Sequence, residues 1–429
     1  MSTPEERTAV LDDLAWRRMI ADHTDLDALR AAMAAGSIAF YGGFDPTAPS
    51  LHFGNLVLLV TMRRLQLAGH RPIGLVGGAT GLVGDPSGRT SERELHAPEV
   101  VSGWVERIRG QVERYLSFEG DNAAIIANNL DWTARMSAID WLRDIGKHFS
   151  VSRMLAKESV SARLETGGIS YTEFSYQVMQ AVDFLELYRR HGCVLQLGGS
   201  DQWGNLTAGV DLIRRVEGAT VHALATPLIT RPDGEKFGKS TGSTLWLDPA
   251  LTTPFAFYQW FVNTDDRVAG TYLRVFSFRT AAEIADLEAS VTARPDVREA
   301  QRALAQEITA LVHGAAAAER AAEASAALFG TGDLGTLDAV TLEAAFADLP
   351  RASLAASDGL PSVLDLFVAS GLVESRGAAR RVVADGGAYL NNRRMSDPAE
   401  VPDRAELLAG RWLLLRRGKR NLAVAEVAR

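Results

Sequence analysis

Through its first two-thirds the chain alternates short β-type runs with longer stretches in which apolar residues recur every three to four positions. Strands joined in this way by crossover helices build a mostly parallel sheet with helices on its faces. Strands are expected at 37–44, 73–76, 123–127 and 194–197, and helices at 55–68, 100–116, 172–190 and 201–216. From 253 to 329 the pattern is helical throughout. Its Ala-rich end is read as helix because Ala is the best helix former and the apolar spacing persists. The expected organisation is an α/β domain with a doubly wound parallel sheet over 1–230, then a loop and helical domain over 231–330. A linker at 331–360 and a small α+β domain at 361–429 complete it.

A chain of 429 residues is long enough for two or three cores, and 47% hydrophobic with 23% charged residues is the composition of a globular protein. No apolar run approaches the roughly 18 to 20 residues that a membrane-spanning helix needs. The polar start, residues 1–7, predicts no secretion signal, and the single Cys193 fits a reducing cytoplasm. Cys193 itself, beside Val194 and Leu195, reads as a small buried apolar residue.

The net charge of −8 hides an asymmetry, because residues 361–429 hold 12 basic against 8 acidic residues, leaving 33 against 45 in residues 1–360. An acidic body with a small basic terminal domain suits a protein whose contact with nucleic acid is local.

Two loops carry the chemistry. The first, Tyr41-Gly42-Gly43-Phe44-Asp45-Pro46-Thr47-Ala48-Pro49-Ser50-Leu51-His52-Phe53-Gly54-Asn55, joins a strand to a helix. Such a loop aims free backbone N–H groups and the positive end of a helix at whatever lies above the sheet, which favours phosphate. The second, Lys236-Phe237-Gly238-Lys239-Ser240, puts two lysines three apart on a loop made flexible by Gly234, Gly238 and Gly242, able to neutralise a polyphosphate. Tyr176, Gln180 and Asp183 fall at i, i+4 and i+7 of one expected helix, hence on one face amid Phe174, Val178 and Phe184. The eight histidines show no metal-binding spacing and no metal site is expected.

In this order, with an α/β domain between them, the two loops resemble the HIGH and KMSKS motifs of class I aminoacyl-tRNA synthetases. The runs YGGFDPTAPSLHFGN, GGATGLVGDPSG, GKHFSV, YTEFSYQVMQAVDF, GGSDQWGN and KFGKS narrow the resemblance to bacterial tyrosyl-tRNA synthetases, and the segment from Ser362 resembles a small ribosomal-protein-like RNA-binding domain. Asn55 stands where the motif has its second His, and Phe237-Gly238 where it has Met-Ser, the latter being usual in this family.

The resemblance implies a Rossmann-like catalytic domain with a dimerisation insertion, a homodimer, and a cytoplasmic enzyme that joins L-tyrosine to tRNA(Tyr) at the expense of ATP, with Mg²⁺ accompanying the ATP. It implies that Tyr176, Gln180 and Asp85 hold the tyrosine ammonium, that Asp183 and Tyr41 bond its phenolic hydroxyl, and that Gln196 and Gln202 flank the carboxylate and ribose. Gly43, Asp45, Gly54, Gly199 and Asp201 would lie along the ATP. Thr47, His52, Asn55, Lys236 and Lys239 would serve adenylate formation, with Asn55 tuning ATP affinity without abolishing activity. The basic residues Arg376, Arg380, Arg381, Arg393, Arg394, Arg416, Arg417, Lys419 and Arg420 would contact tRNA. Rival readings are another class I synthetase, such as a tryptophan enzyme, a small-substrate nucleotidyltransferase, or a silent paralogue that only binds RNA. The last would be expected to have lost His52, Lys236 or Lys239, and all three are present.

Overall fold

The computed structural model describes residues 2–85, 96–157, 160–161, 164, 168–230, 244–329, 332–347, 349–355, 359–418 and 421–427. The chain forms two compact units, one of Met1–Asp248 with Asp265–Glu288 and one of Pro249–Thr264 with Ala289–Arg429.

In chain order the first unit contains α1 (Pro4–Trp16), β1 (Asp22–His23), α2 (Leu26–Ala35), β2 (Ala39–Phe44), α3 (Phe53–Leu67), β3 (Arg71–Val76), α4 (Thr80–Val83) and α5 (Pro98–Glu113). There follow β4 (Ile125–Asn128), α6 (Leu130–Thr133), α7 (Ala138–Asp140), α8 (Val151–Leu155), α9 (Tyr171–His191), β5 (Cys193–Gly199), α10 (Trp203–Glu217) and β6 (His222–Thr226). The strands lie in the order β1-β6-β5-β2-β3-β4, all neighbours parallel except β1 with β6. The order reverses between β2 and β5, and an open α/β sheet binds ligands in the crevice beyond the strand ends at such a reversal.

α9 shows how local chemistry sets an element. Ser170 caps its first turn by accepting from Glu173 N–H, and Gly192 ends it in the left-handed region at φ 62°. Between the caps, Val178, Ala181, Val182, Phe184 and Leu185 are buried in the main core with Tyr41, Ile73, Leu75 and Leu212. Cys193 lies in the same core, fully buried, where loss of water pushes its thiol pKa up.

The helical stretch after 253 comprises α11 (Pro254–Val262), α12 (Asp266–Phe276), α13 (Ala281–Ala293), α14 (Glu299–His313) and α15 (Ala315–Phe329). It is not one domain, since 265–288 groups with the first unit. The physical reason lies in two buried guanidinium groups: Arg17 donates to the carbonyls of Arg274, Ser277 and Arg279, and Arg64 to that of Ser277. They satisfy the carbonyls left open at the end of α12.

The stretch expected as a linker is also structured. It contains α16 (Ala339–Phe346) and β7 (Arg351–Leu354), and β7 joins the terminal sheet by pairing parallel with β11 (Asn421–Val427). The remaining elements are α17 (Val363–Ala369), α18 (Arg376–Ala384), β8 (Ala388–Leu390), β9 (Arg393–Arg394) and β10 (Trp412–Arg417), giving a sheet in the order β7-β11-β10-β8-β9. One face of this sheet packs on α17 and α18 through Leu366, Phe367, Ala379 and Leu413. The other packs on α15 and α16, where Leu328, Leu342 and Phe346 meet Trp412, Leu414 and Val424. The helical part and the terminal domain therefore share one apolar core. Among the described residues no helix is long and apolar enough to cross a membrane.

Candidate active site

At the β2/β5 reversal the first unit holds a cavity of about 350 Å³. Its walls bring together Tyr41, Gly43, Asp45, Thr47, His52, Gly54, Asn55, Asp85, Tyr176, Gln180, Asp183, Gln196, Gly199, Asp201 and Gln202 from positions as far apart as 41 and 202. Lys236 and Lys239 lie outside the described residues.

One wall is the start of α3. His52 is its N-cap: Nδ1 accepts from Gly54 N–H at 3.0 Å, while Asn55 Oδ1 accepts from His52 N–H at 3.0 Å. This reciprocal box satisfies two of the N–H groups a helix start leaves open. Because Nδ1 accepts, the ring proton sits on Nε2, and burial holds the imidazole pKa below its usual value, so His52 is a neutral donor near pH 7. Asn55 is thus occupied in shaping the loop that presents His52.

The floor is a chain of hydrogen bonds. Tyr176 Oη donates to Asp45 Oδ2 at 2.7 Å and Thr80 Oγ1 to Asp45 Oδ1 at 2.6 Å. Asn129 Nδ2 donates to Thr80 Oγ1 at 2.9 Å and to Asp183 Oδ2 at 3.0 Å, and Trp132 Nε1 donates to Asp183 Oδ1 at 2.8 Å. Asp45 lies so close to the turn after β3 that a Cβ on Gly77 would stand 2.1 Å from its Oδ1, which leaves room for glycine alone. Across the cavity Gln202 Nε2 donates to Asp85 Oδ2 at 2.5 Å, and Asn205 Nδ2 to Gln202 Oε1 at 2.9 Å.

Burial pushes the Asp183 carboxyl up to about 7, against the pull of its hydrogen bonds from Asn129 and Trp132. Burial, then the Asp183 charge, holds the Tyr41 hydroxyl well above its usual range, so it stays protonated. Tyr41 Oη, Gln180 Oε1 and Gln196 Oε1 are buried with no hydrogen-bond partner among the described residues. Buried polar atoms are nearly always paired, so three orphans lining one cavity mark places where a polar ligand completes the bonding.

Thr80, Asn129 and Trp132 had not been singled out from the sequence. The signal available was chemical: a carboxylate on the apolar face of a helix needs buried donors, and Asn129 and Trp132 follow directly on β4.

The basic residues of the terminal domain differ among themselves. Arg393 pairs with Glu400 at 2.8 Å and Glu406 at 2.7 Å, and Arg376 with Asp365 at 2.9 Å. Arg417 donates to the Leu372 carbonyl at 3.0 Å, and the Arg416 guanidinium lies 4.0 Å from the Tyr389 ring centre. Arg380, Arg381 and Arg394 make no ion pair among the described residues, and Lys419 and Arg420 lie outside them.

The family described as tRNA synthetases class I (W and Y) matches residues 33–330, and the C-terminal domain of tyrosine–tRNA ligases of the SYY-like type matches 341–425. The tyrosine–tRNA ligase of Streptomyces coelicolor is 59% identical over 422 residues, which is 98% of this chain and 99% of the relative. The chain belongs to the bacterial tyrosine–tRNA ligases. A second such ligase, from Mycobacterium tuberculosis, is 55% identical over 420 residues, covering 97% of this chain and 98% of the relative. Among solved structures, a C-terminally truncated mitochondrial tyrosyl-tRNA synthetase from Aspergillus nidulans superposes with a TM-score of 0.66 at 30% identity, covering 73% of this chain and 92% of that one. As a tyrosine–tRNA ligase the chain is an ATP-dependent enzyme, and its doubly wound sheet is the fold of that family.

Proposed function

We propose that this cavity activates L-tyrosine with ATP, forming tyrosyl-adenylate and pyrophosphate, and that the tyrosyl group is then passed to the 3′ end of tRNA(Tyr). The observation that carries the reading is an orphaned, buried Tyr41 Oη lining the same cavity as the buried Asp183 carboxyl. A phenol that donates to Asp183 and accepts from Tyr41 completes both. Tyr176, Gln180 and Asp85 receive the ammonium group, and Gln196 and Gln202 the carboxylate and ribose. Gly43, Asp45, Gly54, Gly199 and Asp201 line the path of the nucleotide.

The tyrosine carboxylate attacks the α-phosphorus in line and pyrophosphate leaves. Thr47 and the Nε2–H of His52 meet the phosphates on one side, and Lys236 and Lys239 meet them on the other. Catalysis is positioning plus electrostatic stabilisation, with no covalent enzyme intermediate. Mg²⁺ enters with ATP as part of the substrate. In the second step the terminal ribose hydroxyl attacks the adenylate carbonyl and AMP leaves.

The basic terminal domain provides phosphate contacts, and Arg380, Arg381 and Arg394, which have no carboxylate partner among the described residues, carry them more than Arg393, whose charge is already met twice. The protein works in the cytoplasm. It is a homodimer through the catalytic unit, a reading supported by Ile139, Leu142, Val151, Leu155 and Tyr171, large apolar side chains exposed between β4 and the first turn of α9. Sedimentation at micromolar concentration is expected to find the dimer, and monomer alone overturns that part.

The test of the whole reading is ATP–pyrophosphate exchange with each of the twenty amino acids. Exchange with tyrosine far above all others is expected. Equal exchange with phenylalanine, or preference for tryptophan, sinks the assignment of Tyr41 and Asp183.

A further inference from the structure

α5 contributes no side chain to the cavity, yet its last turn reaches the loop that does. Gln111 and Ser50 are both buried. Gln111 Oε1 accepts the Leu51 N–H at 2.9 Å, and its Nε2 donates to Ser50 Oγ at 3.0 Å. Ser50 Oγ donates to the Leu51 carbonyl at 2.7 Å and accepts the Asp248 N–H at 3.2 Å. Around this node two stretches of chain zip together: Leu247 N–H donates to the Leu51 carbonyl at 2.9 Å and Phe53 N–H to the Leu245 carbonyl at 2.8 Å, with His52 directly opposite Trp246.

Two side chains, Gln111 and Ser50, thus tie α5, the loop at 50–53 and the stretch at 245–248 together. The Leu51 N–H has no helical or sheet partner of its own, so without Gln111 a buried donor is left open and the loop must shift to reach water. His52, the next residue, would move with it, and residues 244–248 are hydrogen-bonded to the same stretch.

We propose that Gln111 is a positioning residue for adenylate formation, acting through Ser50 and Leu51 to fix where His52 presents its Nε2–H. The proposal rests on the assignment of His52 to the phosphates given above. Gln111, Ser50 and Leu51 are not among the residues lining the cavity, whereas Tyr41 and Asp183 are, so tyrosine binding should be indifferent to the node.

The test uses the full chain. Gln111→Met keeps the size of the side chain and loses its hydrogen bonds, whereas Gln111→Glu keeps an acceptor for the Leu51 N–H. Tyrosine affinity is read by intrinsic fluorescence, kcat and the KM for ATP by exchange, and folding by the thermal midpoint. Gln111→Met is expected to leave tyrosine affinity unchanged and lower kcat about ten- to a hundredfold, the scale on which displaced catalytic groups lose rate. Gln111→Glu should recover most of it. Unchanged kcat in a folded Gln111→Met protein overturns the proposal, as does an equal loss in both variants or a loss confined to tyrosine binding. Should Gln111→Met fail to fold, Ser50→Ala takes its place: lowered kcat with intact tyrosine affinity supports the proposal and unchanged kcat refutes it. If the unaltered chain shows no tyrosine-dependent exchange, it is the assignment of function that fails.

Discussion

Asp183 is the residue on which amino-acid choice turns in the proposed reading, and its surroundings state what each neighbour contributes. A buried carboxyl with a pKa near 7 would be protonated more readily still without the donors Asn129 and Trp132, which lower it. As pH rises through about 7 the group loses its proton and becomes the better acceptor for a phenol, so kcat/KM for tyrosine should rise with pH over that range. In Trp132→Phe one donor is gone, the limb should move to higher pH, and tyrosine should lose about 1–3 kcal/mol of binding. A pH profile identical to that of the unaltered protein would contradict this account. Asp183→Ala should erode the preference over phenylalanine, because the penalty for an unpaired buried hydroxyl partner disappears with the carboxylate. At this scale the sequence was informative for residues that share a motif or a helix face and silent for most of those that act on another residue. Tyr41, Tyr176, Gln180 and Asp183 carry motif spacing. Thr80 lies within the run GGATGLVGDPSG but was given no role there, and Asn129 and Trp132 lie in no motif, because hydrogen bonds between elements far apart in the chain leave no periodic trace.

Among the elements, α3 is the clearest case of a helix whose start lines the cavity. The box between His52 and Asn55 answers why an Asn at that position suits the loop: its Oδ1 takes the His52 N–H. Asn55→Ala should cost about 0.5–2 kcal/mol of stability, the usual worth of such a cap, and slow exchange while leaving tyrosine affinity alone. A loss of stability with full exchange activity would detach the cap from catalysis. Strands β2, β3 and β5 and helices α3, α5, α9 and α10 were legible because their apolar periods are long and bounded by Gly, Pro or capping residues. β7 and α16 were not: β7 has four residues and owes its order to pairing with β11, a partner some seventy positions away. The division of the helical stretch was equally hidden, since no local pattern reveals that Arg17 and Arg64 draw the end of α12 to the first unit.

For the whole molecule, the shared core decides what deletion can do. A chain ending near 359 loses Leu408, Trp412, Leu414, Leu422 and Val424, and the apolar faces of α15 and α16 are left in water. Such a protein should keep tyrosine-dependent exchange through its first unit, lose tRNA charging, and bind a hydrophobic dye more strongly than the full chain. Trp412→Ala, which empties the contact with Phe346 at 5.9 Å between ring centres, should by itself cost about 3–5 kcal/mol in a denaturant titration of the second unit. A truncated protein with an unchanged melting profile would show that the core counts for little. The seam has a further meaning for ancestry. A module hung on a free tether can be gained or lost by one recombination event, whereas a module that supplies five of the twelve buried residues of a core shared with its neighbour cannot be traded without rewriting that neighbour. For this chain, Ala324 and Ala327 of α15 pack in one cluster with Trp412, Leu414, Leu422 and Val424 of β10 and β11, so a change of size on either side of the seam must be answered on the other.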